Sequence, residues 1–224
     1  MHDTAYEIGR LFFERYIGAG PATIVELGSR DVNGTLRDFS GPNIQYIGLD
    51  IESGPSVDVQ IADSTNLPIA SASVDAIIAS SMFEHDAIFW VTFLEMVRIL
   101  KPKGFLYINA PSNGDFHRYP RDCWRFYPDA GRALQMWAHR NGHRLTLVES
   151  FIANRRGDQW NDFCAIYVKP QHAGNEVKGI IDTPTPIAID VDAVNITLLG
   201  VPEILNQFTE TEDMRIIRQL AASK

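Results

Sequence analysis

The chain has 224 residues, 45% of them apolar and 21% charged, which is enough apolar surface for one medium-sized core and too much for a disordered chain. Asp and Glu number 28 against 20 Lys and Arg, a net charge of −8, whereas a duplex-DNA binder is ordinarily basic. Two cysteines without a CxxC spacing give neither a disulfide framework nor a zinc ribbon, and no leader pattern or membrane-length apolar run is present, so a soluble, cytoplasmic protein without a membrane partner is expected, with nucleic acid a disfavoured but still open partner.

Thr4 and Glu7 stand in a capping-box pattern, with Ile8, Leu11, Phe12 and Tyr16 following at helical spacing. Residues 4–17 are therefore predicted as an amphipathic helix closed by Gly18, Gly20 and Pro21. The apolar runs Thr23–Leu27, Tyr46–Leu49, Val57–Ile61 and Val74–Ser80 read as four strands. A helix carrying Phe89, Phe93, Met96 and Leu100 on one face comes next, stopped by Lys101-Pro-Lys-Gly104, and Phe105–Ala110 is the fifth strand. Pro128 opens another helix with Ala130, Leu134 and Trp137 on one face and Gly142 at its end.

Leu145–Phe151 and Phe163–Val168, with no helical pattern between them, read as an antiparallel edge pair. Residues 170–185, rich in Pro, Gly and Thr, read as a linker. Beyond it a strand is predicted in 187–199, and one or two helices in 202–221 that bury Leu205, Phe208, Met214, Ile217 and Leu220. Strands alternating with helices or helix-length connections imply an α/β chain with a Rossmann-like, doubly wound sheet of seven strands, six parallel and one antiparallel, plus a C-terminal extension. The expected division is an N-terminal helix in 1–20, the main domain in 21–169, and an extension in 170–224 that packs or pairs two copies.

Ligands of such sheets bind at the carboxyl ends of the strands, so the residues there matter most. Glu26-Leu-Gly28 ends the first strand, and its glycine permits close approach to a ligand. Asp50 ends the second, where a carboxylate accepts hydrogen bonds from two ribose hydroxyls. Asp63-Ser64 follows the third, placed to meet an adenine amine. The pocket so described suits an adenosine without a diphosphate. A dinucleotide fingerprint of GxGxxG form is not met, because Gly28 is followed by glycine only at Gly34, with Arg30 and Asp31 between.

The segment Ile24-Val-Glu-Leu-Gly-Ser-Arg-Asp-Val-Asn-Gly34 resembles the first motif of class I S-adenosylmethionine-dependent methyltransferases. Tyr46-Ile-Gly-Leu-Asp50-Ile51 is similar to their second, and Asp63-Ser-Thr-Asn-Leu-Pro68 with Ser73-Val-Asp75 to their third and fourth. Met82-Phe-Glu-His85 and Arg98-Ile-Leu-Lys-Pro-Lys-Gly104 complete the order, and the likeness, closest to the type 11 group, spans about residues 21–168. Arg30 and Val32 depart from the pattern, which carries more glycines there.

The resemblance implies that Glu26 lies near the cofactor's amino group and that Gly28 and Ser29 line its methionine moiety. It implies further that Asp50 holds the ribose with Ile51 packed on the adenine, that Asp63 and Ser64 meet the adenine amine, and that Ser80, with Ser81, lies near the sulfonium. S-adenosylmethionine is the cofactor, S-adenosylhomocysteine its product, and no metal is expected.

Methyl transfer to a hydroxyl or amine can use a proton acceptor near neutral pKa, which histidine supplies. His85, after the fourth strand, and His117, after the fifth, are the two candidates, each open to a purely structural reading. His139 and His143 lack a third ligand and read as a solvated helix face. Asp115–Tyr127 packs Arg118, Tyr119, Trp124 and Arg125 into one stretch, either a wall that binds a sugar-linked or anionic acceptor or a crossover that finishes the core. Cys123 within it reads as a packed thiol. The alternatives to a small-molecule methyltransferase are a cofactor-binding partner subunit without catalysis, and a protein or RNA methyltransferase.

Overall fold

The computed structural model describes residues 1–153, 155, 157, 159–170, 191–195 and 212–223. Eight strands form one sheet: β1 (Ala22–Leu27), β2 (Ile44–Asp50), β3 (Val59–Gln60), β4 (Val74–Ser80), β5 (Leu100–Pro111), β6 (Thr146–Ala153), β7 (Asp162–Val168) and β8 (Val191–Asn195). Their order is β3-β2-β1-β4-β5-β7-β6-β8. The first five are parallel, β7 runs antiparallel between β5 and β6, and the first seven thus make the expected sheet of six parallel strands and one antiparallel. The C-terminal extension adds β8, antiparallel to β6, within the span predicted to hold a strand. The linker predicted at 170–185 lies, from 171 onward, outside the described residues.

Both faces of the sheet are covered, which is why β1 and β4 read as near-continuous apolar runs rather than alternating ones. On one face α1 (Asp3–Phe12), continued by a wider turn through Ile17, packs Ile8, Leu11, Phe12 and Tyr16 against Ile24, Ile78, Tyr107 and Phe151. On the other, α2 (Phe89–Ile99) and α3 (Asp129–Arg140) bury Phe93, Met96, Val97, Leu134 and Ala138 against Val25, Ile77, Leu106 and Phe163. No described helix is long and apolar enough to cross a membrane.

Four local expectations are corrected. The capping box does not form: α1 starts at Asp3, whose Oδ1 accepts from the amide and hydroxyl of Thr4, while Glu7 pairs with Arg10 one turn on. Asp3 competes successfully for that role because a carboxylate at the first turn also faces the positive helix end. Lys101–Gly104 does not precede β5 but bulges within it: Val74 pairs with Leu100 and Ala76 with Phe105, and Lys103 takes φ 68° to close the extra residues. Cys123 is exposed, not packed. In α4 (Glu212–Ala222), Met214, Ile217 and Leu220 are exposed rather than buried, and Leu205 and Phe208 lie outside the described residues. That helix is tied down by a polar residue instead, Asp213, which accepts from Asn113 Nδ2 at 2.9 Å and pairs with Arg155.

Candidate active site

Because β1 to β5 are parallel, Leu27, Asp50, Gln60, Ser80 and Pro111 end along one edge of the sheet. Gly28 turns the chain off β1 with φ 72°, and a Cβ added there would stand 2.9 Å from the Met82 Cβ. Only glycine lets the loop after β1 and the loop after β4 approach so closely. The amides of that first loop are spent on the neighbouring strand end. Gly28 and Ser29 donate to the Leu49 carbonyl at 2.9 and 3.2 Å, Arg30 to Asp50 Oδ2 at 3.1 Å, and Asp31 to the Pro55 carbonyl at 3.0 Å. None of these four amides is therefore left to face a ligand.

Asp50 is half-buried; its second oxygen accepts from the Glu52 amide at 2.9 Å, and each oxygen keeps one further acceptor site. Ile51 beside it is 47% exposed, an apolar surface next to a carboxylate. Asp63 is exposed and is held ionised, its carboxyl pushed below the usual range by hydrogen bonds from the hydroxyl and amide of Thr65. Ser64 points to the start of α2, donating to Asp86 Oδ2 at 3.1 Å and sharing a 2.7 Å hydrogen bond with Thr92 Oγ1. Its hydroxyl is thus occupied, leaving its backbone as the group that could meet a base.

Glu26 is buried, on the sheet face of Ile24, and Tyr46 Oη donates to its Oε2 at 2.8 Å. Burial pushes its carboxyl up to about 7, against the lowering effects of the Tyr46 hydrogen bond and Arg37. Nearby, the hydroxyls of Ser29, Ser80 and Ser81 and both amide atoms of Asn109 are buried with no hydrogen-bond partner among the described residues. Ser80 and Asn109 are register partners on β4 and β5, and the Ser81 amide donates to the Asn109 carbonyl at 2.9 Å. Buried polar groups are nearly always paired, so unpaired ones gathered at neighbouring strand ends fit the polar portion of a bound ligand. Asn109 escaped sequence reasoning; its signal is a lone amide at the carboxyl end of an apolar strand.

His85, His117 and the loop 115–127 meet beyond β4 and β5. The His85 and His117 rings lie edge to face, centroids 5.1 Å apart. Glu84, also not singled out from sequence, is 1% exposed, and its Oε1 lies 3.6 Å from His85 Nε2. Burial pushes its carboxyl up to about 8. One potential ligand atom from each of Glu84, His85 and His117 falls within 4.8 Å of the other two, so the residues that would serve as a base also have a metal-compatible arrangement.

The loop is built on Asp122, whose carboxylate accepts from the His117 amide at 2.7 Å and from both terminal nitrogens of Arg125. The Arg125 guanidinium holds the Asp122 carboxyl down to about 2. Arg125 is consequently committed within the loop, whereas Arg118 is exposed. Tyr119 and Trp124 are 50% and 37% exposed; Arg30 donates to the Tyr119 hydroxyl at 2.9 Å and Trp124 Nε1 to the Asp86 carbonyl at 2.9 Å. Phe126 alone of the loop's aromatics joins the core, against Phe83, Phe89 and Phe163. The core-finishing reading of this stretch therefore applies to Phe126, while Arg118, Tyr119 and Trp124 stay exposed. His139 lies apart from the cluster, bonded through Nε2 to the Leu145 carbonyl.

Residues 17–108 match the family model described as a methyltransferase domain. The fold is shared with a 1,6-didemethyltoxoflavin-N1-methyltransferase of Burkholderia thailandensis bound to 1,6-didemethyltoxoflavin and S-adenosylhomocysteine, at TM-score 0.57 and 16% identity over 75% of this chain and 78% of that one. It is shared also with a complex of a methyltransferase and the Trm112 methyltransferase activator of Haloferax volcanii, at TM-score 0.51 and 18% identity over 76% and 91%. The [4+2]-cyclase SpnF has it too, at TM-score 0.54 and 14% identity over 74% and 81%. No curated protein sequence matches the chain. Residues 17–108 thus carry the match to a methyltransferase domain, and the wider chain shares its fold with these solved structures.

Proposed function

We propose that the chain is a class I S-adenosylmethionine-dependent methyltransferase that methylates an oxygen or nitrogen of a small, sugar-linked or anionic acceptor. The observation that carries this reading is the meeting of two dissimilar groups of residues at one sheet edge. Asp50, Ile51 and the unpaired Ser29, Ser80 and Asn109 stand on the cofactor side, with Glu84, His85 and His117 beneath the Arg- and aromatic-rich loop on the other.

The residues fit S-adenosylmethionine. Unpaired buried hydroxyls and an amide, a glycine-only approach at Gly28 and a half-buried carboxylate beside exposed Ile51 are what its polar and flat portions require. The cofactor supplies an electrophilic methyl on a positively charged sulfur. Asp50 accepts from the ribose hydroxyls, Ile51 packs on the adenine, and Asp63 with the Ser64 backbone meets the adenine amine. Glu26 favours the amino end by charge, acting through the loop because its side chain is buried. Gly28, Ser29 and Ser80 line the path toward the acceptor.

On the acceptor side, Tyr119 and Trp124 offer flat faces to a ring and exposed Arg118 a fork for an anion, while Arg125 positions the loop through Asp122. His85 or His117 takes the acceptor's proton as the new bond forms. Holding acceptor and methyl in line, with water excluded by the loop, supplies most of the rate. The test is a screen of sugar-linked and anionic acceptors with radiolabelled cofactor. Label transfer to one class, lost in His117→Ala but with cofactor binding kept, is expected. Saturable cofactor binding with no transfer to any small molecule would favour a partner-subunit role without catalysis, the second reading, which the departures at Arg30 and Val32 motivate.

A further inference from the structure

The acceptor-side cluster has a feature that proton transfer does not explain: both histidines are fixed in the same tautomer. His85 Nδ1 meets the Arg121 carbonyl, which can only accept, so Nδ1 carries the hydrogen. His117 Nδ1 meets the Asp115 carbonyl at 3.2 Å and the Asp122 carboxylate at 3.4 Å, and the same argument applies. In the neutral form each ring then carries its lone pair on Nε2. A ring nitrogen that donates to a carbonyl or carboxylate, fixing the other as a lone-pair donor, is the usual support of a metal-ligating histidine.

Glu84 supplies the third group. Both of its carboxyl oxygens are buried without a hydrogen-bond partner among the described residues, and a buried carboxyl in that condition is costly. Its backbone is fixed, the carbonyl accepting from the Cys123 and Trp124 amides at 2.7 and 3.2 Å. Arg125, the neighbouring cation, does not quench it, since the guanidinium bonds go to Asp122 and to the Asp115 and Trp124 carbonyls. Two imidazoles and one carboxyl, which a bound cation would hold ionised, lie within mutual reach and form a donor set for a borderline divalent ion, with coordination positions left over.

We propose that Glu84, His85 and His117 bind one divalent transition-metal ion of the zinc or iron class, whose open positions receive an oxygen of the acceptor. The acceptor role rests on the methyltransferase reading; the binding itself does not. It narrows the acceptor to one presenting a hydroxyl, carboxylate or phosphate oxygen to the ion. With the ion bound, the histidine lone pairs are occupied, so the base role proposed for His85 or His117 belongs to the metal-free enzyme.

The test titrates the full chain, stripped with chelator, with Co2+ and then Zn2+, following visible absorption, alongside a separate calorimetric titration with S-adenosylhomocysteine. One equivalent of Co2+ giving a ligand-field spectrum, displaced by one equivalent of Zn2+, is expected. Affinity should fall at least about tenfold in each of Glu84→Gln, His85→Gln and His117→Gln, with S-adenosylhomocysteine affinity within about twofold of native, which also shows that the variants are folded. Absent saturable binding, or binding that survives in His117→Gln, overturns the site. Co2+ binding intact with S-adenosylhomocysteine binding absent leaves the metal site standing and removes the acceptor role from it.

Discussion

Arg30 Nη1 donates to the Tyr119 hydroxyl at 2.9 Å, joining the loop that follows β1 to the loop that follows β5. Arg30 stands where related motifs carry glycine, and the departure has a use: its backbone amide holds Asp50 while its guanidinium reaches Glu52 and Tyr119. On the proposed assignment, one residue thus bridges the cofactor side and the acceptor side. Tyr119→Phe is expected to weaken S-adenosylhomocysteine about two- to fivefold, and Arg30→Ala with Tyr119→Phe no more than Arg30→Ala alone. Independent, additive losses in a calorimetric double-mutant cycle would show that the contact carries no coupling.

Glu26 makes stability depend on pH in a definite sense. Burial raises its carboxyl from 4.5 to about 7, so the folded state holds a proton that the unfolded chain has released between those values. Its contribution to stability therefore falls as pH rises from 4.5 to 7 and stays low above. Glu26→Gln, which keeps an acceptor for the Tyr46 hydroxyl, is expected to be more stable than native at pH 8 by on the order of 2 kcal/mol, with little gain at pH 4.5. Urea unfolding at the two pH values measures the difference.

Asp122 has the opposite sign. Arg125 and the His117 amide lower its carboxyl from 3.8 to about 2, so the stabilisation is full above 3.8 and lost as pH falls through 2. Asp122→Ala leaves Arg125 only the Asp115 and Trp124 carbonyls and the His117 amide without its acceptor, and should cost about 2 kcal/mol at pH 7 in urea unfolding. A loss under about 0.5 kcal/mol would mean that the loop is held by its aromatics instead.

Gly28→Ala meets two obstacles, a left-handed backbone and the Met82 side chain. A loss of about 1–3 kcal/mol in stability is expected, and at least tenfold in S-adenosylhomocysteine affinity, because the loops after β1 and β4 must move apart. Gly18→Ala, also at positive φ but with nothing near its Cβ, should show the backbone cost without the loss of binding.

The sheet was legible because strands buried on both faces write themselves as apolar runs, and the strand ends as polar residues that interrupt them. Asp50 is read that way, whereas Ser80 comes from the family resemblance. Local grammar failed where a tertiary partner outbid it. Asp3 displaced the Thr4–Glu7 box, and pairing with β4 drew Lys101–Gly104 into a bulged strand. Glu84 and Asn109 were missed for a different reason. An acid or an amide looks ordinary in a sequence, and what sets these two apart is burial without a partner, which depends on segments far away in the chain. The proximity of Glu84, His85 and His117 likewise arises from the crossover after β5, whose path no periodicity records.

The central claim is that the strand ends around Asp50 hold the cofactor. Calorimetric titration of the native chain and of Asp50→Ala with S-adenosylhomocysteine tests it directly. Binding in the micromolar range or tighter, with one site, lost or weakened at least about a hundredfold in Asp50→Ala, is the predicted result. Native protein that shows no heat of binding, or an Asp50→Ala variant that binds as well as native, would contradict the account.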